Sequence, residues 1–219
     1  MTTQPRKRSF RLKDYDYSQS GSYFVTISTF HSRHIFGRIT DGSITLSPIG
    51  IIVESDWREI PDHYDNISLD AYCIMPNHLH GIVVIEGNDN SPPTTRAERH
   101  FGQPIRGSLS SIIGAFKAGV TWKARQAKLW RKAPLWHPRF YDCIIRSDLS
   151  LYRIRRYINL NPIVWDYRRN WKKRGESEVE FEEKLRVEYG VDGQSAYEVL
   201  TSDKVVKHRR DMTESCPDR

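Results

Sequence analysis

The sequence has few cysteines, and they are not spaced for metal or disulfide chemistry. Cys73, Cys143 and Cys216 are an odd number and include no CxxC pair, so neither a zinc ribbon nor a disulfide framework is indicated. Long apolar runs are also absent: no stretch reaches the roughly 18 apolar residues of a membrane span. No apolar core follows the basic N-terminus, as it would in a signal peptide. We therefore expect a cytoplasmic protein with no membrane partner.

An excess of acidic residues is lacking as well. The chain has 27 Asp and Glu against 34 Lys and Arg, which gives a formal net charge of +7. A positive excess favours polyanionic partners, because a cation near a phosphate releases condensed counterions. A protein that is merely basic is the alternative. Hydrophobic residues make up 38% of the 219 residues, enough for one core. We predict a basic arm at 1–20, one folded domain at 21–171 and a charged extension at 172–219.

Internal repeats are absent, and the local patterns predict a mixed fold. Runs of β-branched and aromatic residues predict strands, and helical spacing of apolar residues predicts helices. The predicted strands are 22–30, 67–75, 78–86 and 140–146, and the helices are 47–60, 108–130 and 148–161. Asp41-Gly42 predicts a hairpin turn, 87–107 a loop, and Pro162 the end of the last helix. This order predicts an α+β domain, with an antiparallel sheet and helices on one face.

Two histidines open the third predicted strand. Because alternate strand residues face the same side, His78 and His80 point one way while Leu79 points into the core. Two neutral imidazoles so placed can share one divalent ion. No cysteine or carboxylate lies nearby in sequence, so a third ligand must come from elsewhere in the fold. The alternative is a structural pair, one histidine hydrogen-bonded and the other exposed.

A tyrosine and an asparagine share one face of the last predicted helix. Tyr157 borders its apolar stripe, and Asn161 follows four residues later, about 40° away around the axis. A phenol beside arginine or metal charge could attack a phosphodiester, because such charge lowers the cost of losing the phenolic proton. A core-edge role for Tyr157 and a helix-ending role for Asn161 are the alternatives. The competing tyrosines are Tyr141, Tyr152 and Tyr167, and Tyr152 has Arg156 rather than a metal-capable group four residues on.

Four segments together resemble the REP-associated tyrosine transposases, relatives of the single-tyrosine HUH transposases of small bacterial insertion sequences. They are YCIMPNHLHGIVVI (72–85), SLSSIIGAFKAGVT (108–121), LWHPRFYDCIIRSD (135–148) and LYRIRRYINLNPIVW (151–165). The resemblance covers roughly residues 8–171. Its most specific parts are the MPNHLHG segment and the Tyr-Ile-x-x-Asn-Pro motif that runs from Tyr157 to Pro162.

The resemblance implies a ferredoxin-like domain with the histidine pair on a central strand and the tyrosine on a C-terminal helix. It implies Mg²⁺ or Mn²⁺ as cofactor, held by His78, His80 and Asn161, where related proteins often have glutamine at the third position. Tyr157 would be the nucleophile. The implied activity is cleavage and rejoining of single-stranded DNA at REP-like palindromic hairpins through a 5′-phosphotyrosine, in DNA transposition. The protein would act as a monomer or homodimer.

Several basic residues are candidates for DNA contact. They lie in the N-terminal arm, along the second predicted helix beside Trp122 and Trp130, and around Tyr157. A basic surface with interleaved tryptophans suits single-stranded DNA, although a solvated helix face is the alternative. The candidates are Arg6, Lys7, Arg8, Lys117, Lys123, Arg125, Lys128, Arg153 and Arg156.

Two other functions fit the same residues. One is a DNA-hairpin-binding regulator that keeps the fold without turnover. The other is a phosphoesterase in which the His-x-His pair holds a metal and water is the nucleophile.

Overall fold

The computed structural model describes residues 19–87, 107–131 and 133–175, together with Ser177, Val179, Glu180, Glu183 and Val187. Residues 1–18 of the predicted basic arm, 88–106 of the predicted loop and most of the predicted charged extension lie outside these residues. The elements are β1 (Gly21–Ser28), β2 (Gly37–Thr40), β3 (Ser43–Leu46), α1 (Pro48–Arg58), β4 (Ile67–Met75), β5 (His78–Ile85), α2 (Leu109–Gln126), β6 (Tyr141–Ile145) and α3 (Asp148–Arg174).

Four strands form the main sheet in the order β4-β5-β1-β6, and every neighbouring pair is antiparallel. Without the β2–β3 hairpin, the chain order is β1-α1-β4-β5-α2-β6, the split βαβ pattern of ferredoxin-like folds. The predicted α+β class and ferredoxin-like sheet are therefore confirmed. Strand β5 is an inner strand, with β4 on one side and β1 on the other.

The sheet has a core on each face, because alternate residues of its strands point to opposite sides. On one face Tyr23, Val25 and Ile27 of β1 pack in a cluster with buried residues of α1 and α2. On the other face Phe24 packs in a cluster with Ile154 and Ile158 of α3. The prediction of helices on one face thus holds for α1 and α2, whereas α3 covers the opposite face.

The hairpin β2–β3 turns at Asp41-Gly42, as predicted. Asp41 has φ 51° and Gly42 has φ 70°, and two positive φ values are what a type I′ turn requires. The backbone N–H of Gly42 donates to Asp166 of α3 at 3.3 Å. The hairpin is thereby joined to the second half of α3.

Helix α3 runs through Pro162 and ends at Arg174, so the prediction that Pro162 ends the helix is wrong. Proline inside a helix costs about 3 kcal/mol, because it removes an N–H donor and crowds the carbonyl four residues before it. Packing on both sides of Pro162 offsets this cost: Ile158 precedes it with no exposed surface, and Tyr167 after it is 6% exposed. Ser147 is the N-cap of α3, and its Oγ accepts from the N–H of Ser150 at 3.2 Å.

None of the helices within the described ranges is long and apolar enough to cross a membrane.

Candidate active site

The histidine pair lies at the start of inner strand β5, directly after the Pro76-Asn77 corner. His80 is opposite Thr26 of β1 and Cys73 of β4, and it is 3% exposed. Leu79 between them has no exposed surface and packs in the α1–α2 core. The predicted alternation is therefore observed, and both imidazoles face the side of the sheet that α3 covers.

The two imidazoles direct their Nε2 atoms at each other, 3.0 Å apart. The Nδ1 of His78 lies 2.6 Å from Oδ1 of Asn77, and the Nδ1 of His80 lies 2.9 Å from Oγ1 of Thr26. An amide oxygen only accepts, so Nδ1 of His78 carries the proton and its Nε2 presents a lone pair. Thr26 can hold His80 in the same tautomer by accepting from its Nδ1. Such neighbours orient metal-binding histidines.

The pair fits a divalent ion. Two nitrogen ligands about 2.1 Å from an ion, at right angles to each other, lie about 3.0 Å apart, the distance between Nε2 of His78 and Nε2 of His80. Among the described residues, no group of three or more His, Cys, Asp or Glu side chains could hold a metal. Further ligands would therefore be amide, water or substrate oxygens. Oxygen ligands suit Mg²⁺ or Mn²⁺, and the site differs from a structural zinc site closed by four protein ligands.

Tyr157 of α3 reaches this pair. Its hydroxyl lies 3.3 Å from Nε2 of His80, and the two rings have centroids 5.2 Å apart. Phe24 stacks on His80 with centroids 5.4 Å apart and meets Tyr157 edge-on at 6.1 Å. Ile154 and Ile158 are buried against the sheet on either side of Tyr157, so the phenol is held at the edge of this core. The phenol and both imidazoles therefore form one cluster, although Tyr157 follows His80 by 77 positions in the sequence.

The other candidates are arranged differently. Asn161 is half-buried, one helical turn after Tyr157 on α3. Tyr152 is 58% exposed, and its hydroxyl accepts from Arg156 at 3.4 Å. Tyr167 is 6% exposed, and Tyr141 lies on edge strand β6 with its ring edge-on to Phe24.

Polar contacts join α3 to strand β4 and to the β2–β3 hairpin. Near its start, Arg155 donates through Nε and Nη2 to the carboxylate of Asp70 on β4, with distances of 2.6 to 3.0 Å. Beyond Pro162, the buried carboxylate of Asp166 accepts from Gly42 at 3.3 Å and from Nδ2 of Asn170 at 2.6 Å. One contact lies on each side of Tyr157, so the helix is tied down at both ends of the candidate site.

Three residues that the sequence analysis did not select extend this cluster. The Trp165 ring lies 5.8 Å from the His78 ring and 5.6 Å from the His34 ring, between centroids. Nη1 of Arg169 is 3.3 Å from Nδ1 of His34. Partial burial, and secondly the positive charge of Arg169, lower the pKa of His34 below its usual 6.5. The four-residue spacing from Tyr157 through Trp165 to Arg169 was a visible signal, but ending the helix at Pro162 concealed it.

The predicted DNA-contact residues of α2 lie across the sheet from the histidine pair, because α2 packs in the opposite core. The Lys117 ammonium donates to the carbonyls of His137 and Pro138 at 2.7 and 3.3 Å, and burial lowers its pKa to about 8. Lys123 donates to Asp56 at 2.6 Å and to Glu59 at 3.0 Å. Both ammonium groups already have partners within the protein.

The remaining basic candidates differ in position. Arg125 and Lys128 are exposed at the end of α2 and just beyond it. Arg153 is exposed and Arg156 half-buried on α3, on the same side of the sheet as Tyr157. Arg6, Lys7 and Arg8 lie outside the described residues.

Comparison with known proteins identifies two relatives from Haemophilus influenzae. An uncharacterized protein is 36% identical over 165 residues, which cover 73% of this chain and 90% of that protein. The chain belongs to one family with it. A second protein, named as a candidate REP-associated tyrosine transposase, is 24% identical over 156 residues, covering 69% of this chain and 76% of its own length. No protein-family model matches.

A solved structure has the same fold. It is a REP-associated tyrosine transposase bound to a REP hairpin, with a TM-score of 0.50 and 15% sequence identity, and the match covers 74% of this chain and 76% of that one. At this identity the likeness concerns the fold. It agrees with the ferredoxin-like sheet and the covering helix described above.

Proposed function

We propose that this chain is a REP-associated tyrosine transposase that cleaves and rejoins single-stranded DNA beside palindromic hairpins, with Tyr157 as the nucleophile. The relative named as a candidate REP-associated tyrosine transposase supports the coarse part of this proposal, a transposase-type enzyme. The finer proposal depends on one observation, the 3.3 Å between the Tyr157 hydroxyl and Nε2 of His80, in a pair whose Nε2 atoms are 3.0 Å apart.

The reaction we propose is a transesterification. The phenolic oxygen of Tyr157 forms a bond to phosphorus while the bond from phosphorus to the 3′ oxygen breaks. The DNA downstream stays attached through a 5′-phosphotyrosine, and the upstream strand leaves with a free 3′-hydroxyl. The proton lost by the phenol balances the proton gained by that hydroxyl. The phosphodiester bond energy is kept, so attack by a 3′-hydroxyl reverses the step and rejoins the strand.

The side chains have separate roles in this proposal. His78 and His80 would hold Mg²⁺ or Mn²⁺, with the amide of Asn161 as a further ligand. The bound ion would polarise a non-bridging phosphate oxygen and offset the developing charge. Asn77 and Thr26 would keep the imidazoles in the tautomer with a free Nε2. Phe24 would keep the His80 and Tyr157 rings in place by contacting both.

The test is covalent capture of labelled DNA. A hairpin oligonucleotide with single-stranded flanks is labelled at either its 5′ or its 3′ end and incubated with the protein and Mn²⁺. We expect a denaturation-resistant adduct that carries the 3′ label, while the 5′ label leaves on a shorter strand. Tyr157→Phe should abolish the adduct. Tyr152→Phe is the matched control, because Tyr152 is exposed on the same helix.

The outcomes separate the proposal from its alternatives. Strand cleavage that survives Tyr157→Phe would mean that water is the nucleophile, as in a phosphoesterase. Hairpin binding without cleavage, on palindromes taken from the DNA around the gene, would indicate a regulator. An adduct carrying the 5′ label would reverse the proposed polarity.

A further inference from the structure

Along α3, three side chains follow Tyr157 at intervals of one helical turn, and the resulting row of four lies beside three histidines. The members are Tyr157, Asn161, Trp165 and Arg169, with successive positions about 6 Å apart along the axis. Positions four apart form a ridge on a helix surface. Tyr157 contacts His80, Trp165 contacts His78 and His34, and Arg169 contacts His34. The ridge thus continues from the nucleophile past the histidine pair to a guanidinium.

From this arrangement we propose that Trp165 and Arg169 form a nucleotide subsite beside the candidate active site. Trp165 would stack on the base of a nucleotide flanking the scissile phosphate, and Arg169 would contact a neighbouring backbone phosphate. The inference rests on the proposed function, because the nucleotide is defined by its position next to the cleaved bond.

The chemistry of the ridge suits single-stranded DNA. Indole faces stack on any base, and such stacking contributes about 1–3 kcal/mol per base. The Trp165 ring borders His78, one of the two residues that would hold the ion, so a base on it lies one step from the reacting phosphate. Arg169 is exposed, and its Nη1 meets the ring nitrogen Nδ1 of His34, which carries no negative charge. Because this contact is not an ion pair, the guanidinium keeps its charge available to bind a phosphate.

An abasic scan of the wild-type protein tests the subsite. Single abasic positions are placed in turn along the single-stranded flanks of the hairpin oligonucleotide, and the dissociation constant is measured by fluorescence anisotropy. We expect one flanking position at which base removal weakens binding at least about fivefold, the lower end of a stacking contribution. The absence of any such position overturns the subsite, whatever the variants do.

Variants then assign the position to Trp165. Trp165→Ala should lose at least about fivefold in affinity on intact DNA, and little more when the sensitive base is also missing. Trp165→Phe should retain most of the affinity because it still stacks. Trp122→Ala is the matched control, a 62% exposed tryptophan on α2. Equal losses for the two alanine variants, or a Trp165→Ala loss that adds fully to base removal, would overturn the assignment.

Arg169 is tested by salt dependence. Arg169→Gln should reduce the slope of log affinity against log salt by about 0.7, the value for one phosphate contact on a single strand, with Arg125→Gln as control. An unchanged slope would overturn the phosphate contact.

Failure of the subsite is distinguishable from failure of the proposed function. If the wild type forms no covalent adduct but an abasic position in the single-stranded flanks weakens its binding and not that of Trp165→Ala, the nucleophile proposal fails while nucleotide binding at Trp165 stands. If the covalent adduct forms as fast with every abasic oligonucleotide as with intact DNA, and the affinities are also the same, the subsite fails and the nucleophile proposal stands.

Discussion

At the scale of single residues, the candidate site depends on neighbours that carry no charge. Asn77 meets Nδ1 of His78 at 2.6 Å through its amide oxygen, and its Nδ2 donates to the carbonyl of Ser32 at 3.3 Å. His31 and Ser32 both have positive φ, 55° and 50°, a strained conformation for residues other than glycine. The corner that aims His78 is thus joined to a strained loop.

Asn77 variants should alter metal affinity in a graded way. Asn77→Ala removes the acceptor for Nδ1 of His78, and loss of such a neighbour weakens metal binding by about 10–100-fold. Asn77→Asp keeps an acceptor at that position and should stay closer to the wild type. Calorimetric titration with Mn²⁺ measures both, and Asn66→Ala, which changes a half-buried amide just before β4, is the control. Equal affinities for all four proteins would contradict the positioning role.

Lys117 should make stability depend on alkaline pH. Burial lowers its folded pKa from 10.5 to about 8. Between these values the unfolded chain binds more protons than the folded one, so the wild type gains stability as the pH rises through this window. The free energy of unfolding of the wild type minus that of Lys117→Met should therefore increase from pH 8 to pH 10, measured by urea denaturation. The exposed Lys128→Met should leave its difference from wild type constant.

The sequence could predict that the two histidines share one face of a strand, but not what holds them. The His-x-His spacing predicts a shared face because strand alternation is a local rule. Thr26 lies 54 residues from His80, and no local pattern links the two. Lys117 and Lys123 show the same limit, since their carbonyl and carboxylate partners come from segments distant in the chain.

At the scale of elements, β5 serves both cores and is tightly packed. Gly81 follows His80, and a Cβ at this position would overlap the indole of Trp57 on α1. The glycine in the MPNHLHG segment therefore lets α1 approach the strand that carries the histidines. This reason is steric, because Gly81 is not among the residues with positive φ.

Gly81→Ala should destabilise the protein by about 1–3 kcal/mol, the usual cost of overpacking a core. Urea denaturation monitors it. Gly114→Ala is a matched control with the opposite expected sign: nothing lies within 4 Å of a Cβ there, and alanine favours a helix interior by about 0.5–1 kcal/mol. Trp57→Phe combined with Gly81→Ala should cost less than the sum of the single changes. Strict additivity would mean that the two side chains do not collide.

Helix α3 shows that local sequence patterns predict where an element begins but not always where it ends. Its start and its apolar stripe follow from local rules, and both were predicted. Its continuation past Pro162 depends on burial of Ile158, Asp166 and Tyr167, which is tertiary information. Tertiary packing supplies most helical stability in proteins, so a local break signal can be outweighed.

At the scale of the whole molecule, the sheet separates two basic surfaces. The α2 surface carries Arg125 and Lys128, whereas the α3 surface carries Arg153 and Arg156 beside the candidate site. The net charge of +7 does not distinguish them. The sequence could therefore predict a basic protein, but not which surface adjoins the histidines.

Two double variants that remove equal charge test this separation. Arg153→Gln with Arg156→Gln should weaken hairpin binding and lower the salt slope, because each lost phosphate contact reduces the slope by about 0.7–0.9. Arg125→Gln with Lys128→Gln should remain within about twofold of wild type if non-specific attraction is screened at physiological salt. If the Arg125/Lys128 double variant instead weakened hairpin binding more than the Arg153/Arg156 double variant, the DNA would lie on the α2 face.

The strand order has a consequence for how the protein opens. Cooperative units of a protein open at different free energies, and peripheral helices generally open below inner strands. His78 and His80 lie on an inner strand, whereas Tyr157 lies on a helix that covers one face. Mild denaturant should therefore release the amide protons of α3 to exchange before those of β5. Ion affinity would outlast strand cleavage, and the nucleophile would be the first part of the machinery to be lost on warming.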